Sequence, residues 1–317
     1  MIAPKPLPIK LTERRKEDCS VTVCIAAIYD RSGVFSAADR MITAGDVQFE
    51  PTVEKVRYLT NSCLVMFAGD ATLQSEIIQS AQIEIGEKIR RAPDTWLTIK
   101  SMAETYKQQM DATVLARSER RVLVPLGLTR ESFLMRQAEF SDVFVRDVSK
   151  ELLNYEAPSV AGIVCGIDTT GPHIYVVDNA SLSCNDHVGF AAIGAGYWHA
   201  NSQMMSFSHS PQSGLADTLL NVFSSKKRAE IAPGVGKATD MYIVTSLGSS
   251  NTLRDSVAQE LEKRYEDERR RQQRVANTSR QKINAFVQGI LDEPAAQSQA
   301  ELPANTEPVP PAAEKEE

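Results

Sequence analysis

The chain has 317 residues, with Lys+Arg 35 against Asp+Glu 41 and a formal net charge of −6. Hydrophobic residues make up 42% and charged residues 24%, an ordinary globular balance that excludes collagen-like, disulfide-scaffold and wholly disordered classes. The acidic excess argues against a general nucleic-acid binder.

The first twenty residues hold Pro4, Pro6, Pro8 and the charged run Arg14-Arg15-Lys16-Glu17-Asp18, which reads as an extended leader (1–20) rather than an apolar signal or a transit peptide. The body starts with the apolar run Val21–Tyr29, the turn Asp30-Arg31-Ser32-Gly33 and the run Val34–Ala38, a predicted hairpin with its glycine where a positive φ is wanted. Both runs are nearly continuous in apolar residues, so both faces are expected to be covered. A second hairpin is predicted from Val53–Leu59 and Cys63–Ala68 around Thr60-Asn61-Ser62. From Ala71 the period changes, with Leu73, Ile77, Ile78, Ile83 and Ile85 on a helical face, and Pro93 stops that helix. Another helix is predicted from about Asp94 through Met110, carrying Trp96, Ile99, Ala103, Tyr106 and Met110.

Over 117–158 the pattern fits helix, or helix plus strand. Strands return at Ala161–Ile167 and His173–Asp178 around the turn Asp168-Thr169-Thr170-Gly171-Pro172, and again at Phe190–Ile193. Gly194-Ala195-Gly196 opens a helix, Ser213–Ser225 forms the next, Lys226-Lys227-Arg228 suits its C-terminus, and Met241–Thr245 is a last strand. Two central sheets with helices on both outer sides fit this order. Residues 251–291 read as a charged helical extension, with Leu253, Val257, Leu261 and Tyr265 at i+4 spacing; it is either a solvated face laced with ion pairs or a docking surface for a partner or for RNA. Residues 292–317, rich in Pro, Ala and Glu, are expected to be disordered. Residues 283–317 hold seven acidic residues and one lysine, so the remainder carries 34 charges of each sign and the net acidity belongs to the tail.

Five cysteines without a CxxC pair, and four histidines without HxxxH spacing, point to reduced thiols and give no metal-ligand set. No run approaches the apolar length of a membrane span, and a cytoplasmic location is expected. Cys24 reads as a small core residue rather than a nucleophile, and a Cys165–His173 dyad as coincidence.

The segments TVCIAAIYDRSGVFSAADRMITAG, PTVEKVRYL, MFAGD, GIDTTGPHIYVVD and AAIGAGYWHA, in that order, resemble proteasome β-type subunits and the bacterial ATP-dependent proteasome-like peptidase. The resemblance covers about residues 20–247. It implies an α+β chain folded as a four-layer αββα sandwich over 21–250, of the N-terminal-nucleophile hydrolase type. It also implies a threonine that cleaves amide bonds, with its own α-amino group as base, and no metal or other cofactor. Carried over by position, Thr22 matches the nucleophile, Lys55 the lysine that favours the alkoxide, Asp39 the carboxylate that holds the lysine, and Gly69 the oxyanion donor. Thr43 matches a backbone position that pairs with bound peptide. Phe67, Ala68 and Ala71 match positions near the side-chain pocket. Thr239 and Asp240 stand near the family's accessory hydroxyl and carboxylate. Ser20 shares a strand face with Thr22 and is the other candidate nucleophile.

The sequence departs from the pattern where Val21 stands for the glycine before the threonine, where Ala195 stands for an accessory serine, and where Gly236-Lys237-Ala238-Thr239 lacks the accessory aspartate. A non-catalytic scaffold subunit and a hydrolase of small-molecule amides are therefore alternatives to a peptidase. The expected partners are a peptide or amide substrate, further copies of the chain in a ring or other homo-oligomer, and a protein such as an unfoldase at the C-terminal helix. No membrane and no nucleic acid are expected.

Overall fold

A computed structural model describes residues 22–44, 47–49 and 55–292. The leader, Ser20 and the 293–317 part of the tail lie outside the described residues. The chain divides into two compact units, Met1–Glu262 and Lys263–Glu317.

The first hairpin forms as expected, from β1 (Cys24–Tyr29) and β2 (Gly33–Asp39). Its turn works differently from the sequence expectation. The positive φ values belong to Asp30 (49°) and Arg31 (52°), the paired left-handed geometry that matches strand twist. Gly33 instead makes room, because a Cβ there would sit 2.1 Å from the Tyr29 ring. Next come β3 (Ile42–Ala44) and β4 (Val47–Phe49), a separate two-stranded ribbon. They are followed by β5 (Val56–Thr60) and β6 (Cys63–Gly69), paired antiparallel with an irregularity between Tyr58 and Thr60.

Helix α1 (Ala71–Arg91) is N-capped by Asp70, which accepts from the Leu73 amide at 2.6 Å. Ile83, expected on its core face, is exposed. Helix α2 (Ile99–Val122) begins later than expected, at the cap Thr98. Trp96 therefore lies before the helix, and its indole N–H donates to Ser62 at 3.2 Å. The region that the periodicity left open holds α3 (Arg130–Met135) and α4 (Asp142–Leu153), with short 3₁₀ turns at Val124–Leu126 before α3 and Gln137–Glu139 between the two helices. It closes on its own small core of Val122, Leu123, Leu128, Phe133 and Val148.

The remaining strands are β7 (Val160–Asp168), β8 (Gly171–Asp178), β9 (Leu182–Cys184), β10 (Phe190–Ile193), β11 (Thr239–Val244) and β12 (Ser250–Thr252). Helices α5 (Tyr197–Ser206) and α6 (Leu215–Ala229) fall between β10 and β11. The result is mixed α and β, with two five-stranded antiparallel sheets of order β10-β1-β2-β11-β12 and β5-β6-β7-β8-β9.

The strand period decides what lies where. Cys24, Ala26, Ile28, Val34 and Ala38 from the first sheet share one core with Leu64, Met66, Ile163, Cys165 and Ile174 from the second. The other face of the second sheet, with Cys63, Val65, Val164 and Val177, packs on Ile77, Ile85, Met102 and Tyr106 of α1 and α2. Helix α6 lies on β1 and β2. The unbroken apolar runs of β1 and β2 are thus explained, since both faces are buried. Each fully buried large aliphatic contributes roughly 1.5–3 kcal/mol.

Helix α7 (Asp255–Asp292) starts in the first unit, where Leu261 is buried. Within the second unit Ile283, Phe286, Val287, Ile290 and Leu291 are exposed along one stripe. No helix among the described residues is long and apolar enough to cross a membrane.

Candidate active site

Three polar side chains meet where the ends of the two sheets converge. Thr22 leads into β1, Asp39 ends β2 and Lys55 precedes β5. All three are buried, at 1%, 0% and 6% exposure. The Thr22 hydroxyl donates to Asp39 Oδ1 at 2.5 Å. The Lys55 ammonium donates to Asp39 Oδ1 at 3.0 Å and also to Thr22 Oγ1. Residues 33 positions apart are thus closed into a triangle of hydroxyl, carboxylate and ammonium.

Asp39 is the hub. Oδ1 accepts from Thr22, Lys55 and the Val23 amide, and Oδ2 from the amides of Met41 and Gly236. Five donors around one carboxylate offset the cost of burying its charge. Backbone contacts fix Thr22 in turn. Its carbonyl accepts from the Gly196 amide at 3.2 Å, and Gly194 (φ 91°) packs so tightly that a Cβ would lie 2.4 Å from Thr22 O. The Gly194-Ala195-Gly196 turn opens α5 as expected, with Gly196 at the helix N-cap, and it also seats Thr22.

Gly69 ends β6 at φ 103°, and a Cβ there would come within 2.2 Å of Ser159 O. It pairs with Val160 at the start of β7. Buried Gln74, an unremarked polar position in the helical pattern, steadies this corner. Its Nε2 donates to the carbonyls of Ala68 and Ala161, at 3.3 and 3.1 Å, and Tyr106 donates to its Oε1.

The other sequence candidates scatter around this cluster. Thr43 lies in β3 opposite Gln48 of β4. Phe67 packs toward the α1/α2 core, while Ala68 belongs to the core between the sheets. Ala71 is the exposed first residue of α1. Thr239 stands opposite Asp39 in the β2–β11 ladder, but its hydroxyl donates to Lys237 O at 3.3 Å. Asp240 is buried and faces Arg40, which donates to Oδ1. It therefore does not join the triangle.

Cys24 donates to Phe67 O at 3.5 Å, and burial pushes its thiol up to about 12, which removes it as a nucleophile at neutral pH. Cys165 is buried between the sheets, also raised by burial to about 12, and sits opposite Ile174 rather than against an imidazole. His173 belongs to a different cluster, bonded through Nδ1 to Asp186 and through Nε2 to Thr170, each at 2.7 Å. Among the described residues no group of three or more His, Cys, Asp or Glu is placed to hold a metal ion.

The triangle has a defined chemical capacity. It holds one hydroxyl oxygen against a fixed positive charge, which favours the alkoxide, and it leaves the carboxylate fully occupied in holding the other two. The hydroxyl proton rests on the hydrogen bond to Asp39, whose oxygens four other donors also occupy. Compared with known protein families and with curated proteins, the chain matches no family model and no curated relative.

Proposed function

We propose that the protein is a proteasome-like threonine hydrolase that cleaves peptide bonds, with Thr22 as nucleophile once the bond before it has been cut. The observation that carries this reading is the closed Thr22–Asp39–Lys55 triangle. Two antiparallel sheets sharing a core, with α1 and α2 on one side and α6 on the other, support the four-layer sandwich that the family resemblance implies.

In this reading the freed α-amino group of Thr22, with an ordinary pKa of about 7.7–8.0, supplies the base. It takes the hydroxyl proton as Oγ1 attacks the carbonyl carbon, and Lys55 stabilises the oxygen as it becomes negative. The oxyanion is stabilised by the amide at Gly69, whose φ of 103° sets the turn there. The leaving amine takes the proton, and water then hydrolyses the ester on Thr22. The exposed apolar stripe of α7 supports a protein partner at that helix.

One observation favours a second reading. Thr22 is only 1% exposed, and neither Thr239 nor Asp240 turns toward it, as suits a scaffold subunit that keeps the fold without cutting.

Intact-mass measurement together with a paired screen of fluorogenic peptides and simple amides decides between them. Loss of the first 21 residues, with amide cleavage that Thr22→Ala abolishes, is the expected result. A retained leader with activity indifferent to Thr22→Ala ends the hydrolase reading. Cleavage of simple amides alone makes the substrate a small molecule.

A further inference from the structure

Lys226 lies near the end of α6, in the run of cations that suits a helix C-terminus. Its side chain is 0% exposed. Its ammonium donates to Glu230 Oε1 at 2.6 Å, to Gly236 O at 2.9 Å and to Lys237 O at 2.7 Å, so each of its three protons has an acceptor. A charge at the helix end needs no burial to favour the dipole, and burying it costs more than that interaction returns. What burial does achieve is to turn two carbonyls of the loop between α6 and β11 inward. The amide that matters to Asp39 lies one peptide unit before them: the Gly236 N–H, part of the Val235–Gly236 peptide, donates to Asp39 Oδ2 at 2.9 Å.

We propose that Lys226 is a positioning residue. Its ammonium acts as a built-in cation that holds the Gly236–Lys237 loop so that the Gly236 amide fixes Asp39, and through it Thr22 and Lys55. The consequence for catalysis rests on the hydrolase reading; the hold on Asp39 does not.

Several charges face this ammonium. Burial lowers its pKa, Glu230 opposes that strongly, Lys227 lowers it further and Asp39 raises it. Lys227 is itself engaged with Glu230 and Glu262. The hold on the loop is therefore lost on the alkaline side, as Lys226 gives up its proton below the usual lysine range.

The test follows the Gly236 amide by hydrogen exchange in the full chain. In parallel, a β-lactone probe acylates processed Thr22: an ester forms on Oγ1, the ring C–O bond breaks, and the proton ends on the released oxygen. Lys226→Met is expected to cut Gly236 protection and the acylation rate each about tenfold, and Lys226→Arg to recover most of both. In the unaltered chain Gly236 protection should fall as Lys226 titrates. Glu230→Gln should move that fall about one pH unit lower, an arm that stands even if Lys226→Met does not fold. Unchanged Gly236 protection in Lys226→Met, or an unmoved midpoint in Glu230→Gln, overturns the proposal. Failure of the probe to acylate the unaltered, processed protein removes the hydrolase reading, while Gly236 protection still decides whether Lys226 holds Asp39.

Discussion

Two polar clusters sit toward opposite ends of β7. Near its start, where Gly69 pairs with Val160, lies the Thr22–Asp39–Lys55 triangle; at its end lie Asp168, Thr170, His173 and Asp186. Both contain a hydroxyl, a cation and a carboxylate within hydrogen-bond reach, so an inventory of residue types does not tell them apart. Burial does: Thr22, Asp39 and Lys55 are at most 6% exposed, whereas the side chains of His173 and Asp186 are 19% and 29% exposed. Asp168 takes the Thr170 hydroxyl proton at 2.6 Å, so His173 Nε2 must donate to Thr170, while Nδ1 donates to Asp186. His173 is then an imidazolium between two carboxylates. Asp168 also takes the Ile99 amide of α2, and Asp186 the Ile174 amide of β8. Every partner is committed, and the cluster is a staple that ties α2 to the strand ends. The triangle has the same proton order, hydroxyl to carboxylate and cation to hydroxyl, but it is closed off from solvent. The same kind of hydrogen-bond network is therefore expected to cost more to break in the buried cluster than in the half-exposed one.

The contrast is sharpest under substitution of the hub carboxylate. Asp39→Ala leaves five donors without an acceptor and Lys55 as a buried lone charge, an expected loss of about 3–5 kcal/mol in urea unfolding. Asp186→Ala, in a partly exposed pair, is expected to cost only about 1–2 kcal/mol. Equal losses would erase the distinction. Gly194→Ala comes next, at about 1–3 kcal/mol, because it forces a side chain into a φ of 91° and against Thr22; its stability loss should come with displacement of Thr22, seen as altered probe reactivity.

The staple has its own pH signature. The hydrogen bond to Asp186 raises the His173 pKa, burial works against it, and the charges of Asp186 and Asp168 add to the rise. The stability it contributes is full below the unfolded value of about 6.5 and is lost as pH rises through the folded value. For both carboxylates burial works upward, but hydrogen bonds outweigh it: Thr170 and Ile99 lower Asp168, and His173 and Ile174 lower Asp186. Their contribution is present above about 3.9 and fades as pH falls through their depressed values. The stability difference between the unaltered chain and His173→Gln should therefore be greatest between about pH 4 and 6.5 and shrink on either side. A pH-independent difference would show that the imidazolium is not what holds the cluster. The smallest effect belongs to Thr239→Ala, expected to change stability by no more than about 0.5 kcal/mol, since its hydroxyl only reaches Lys237 O.

The parts of this molecule that were legible in the sequence are those fixed by local pattern. The β1–β2 and β5–β6 hairpins, β7 and β8 announce themselves as short apolar runs bounded by turn residues, and α1 by helical spacing. Asp39, Lys55 and Gly69 could be singled out only because they fall at strand ends in the order a known family uses. What stayed hidden depends on long-range closure. Lys226 looked like a helix-end cation because nothing nearby in sequence reveals that the loop ten residues on folds back over it. Gln74 looked like an ordinary polar position of a helix, and its two carbonyl partners come from strands on either side in the chain. Gly33 was assigned to the turn conformation, while its reason is the Tyr29 ring packed against it.

The grip on Thr22 exists in a chain that still carries Val21. There the nitrogen of Thr22 is an amide, its lone pair delocalised into the carbonyl, and it cannot accept a proton at neutral pH. On the hydrolase reading, the whole apparatus is thus folded in advance and kept silent by a single covalent bond. Switching it on would require no refolding around the triangle, and a cell could synthesise and assemble the protein before any copy was able to cut.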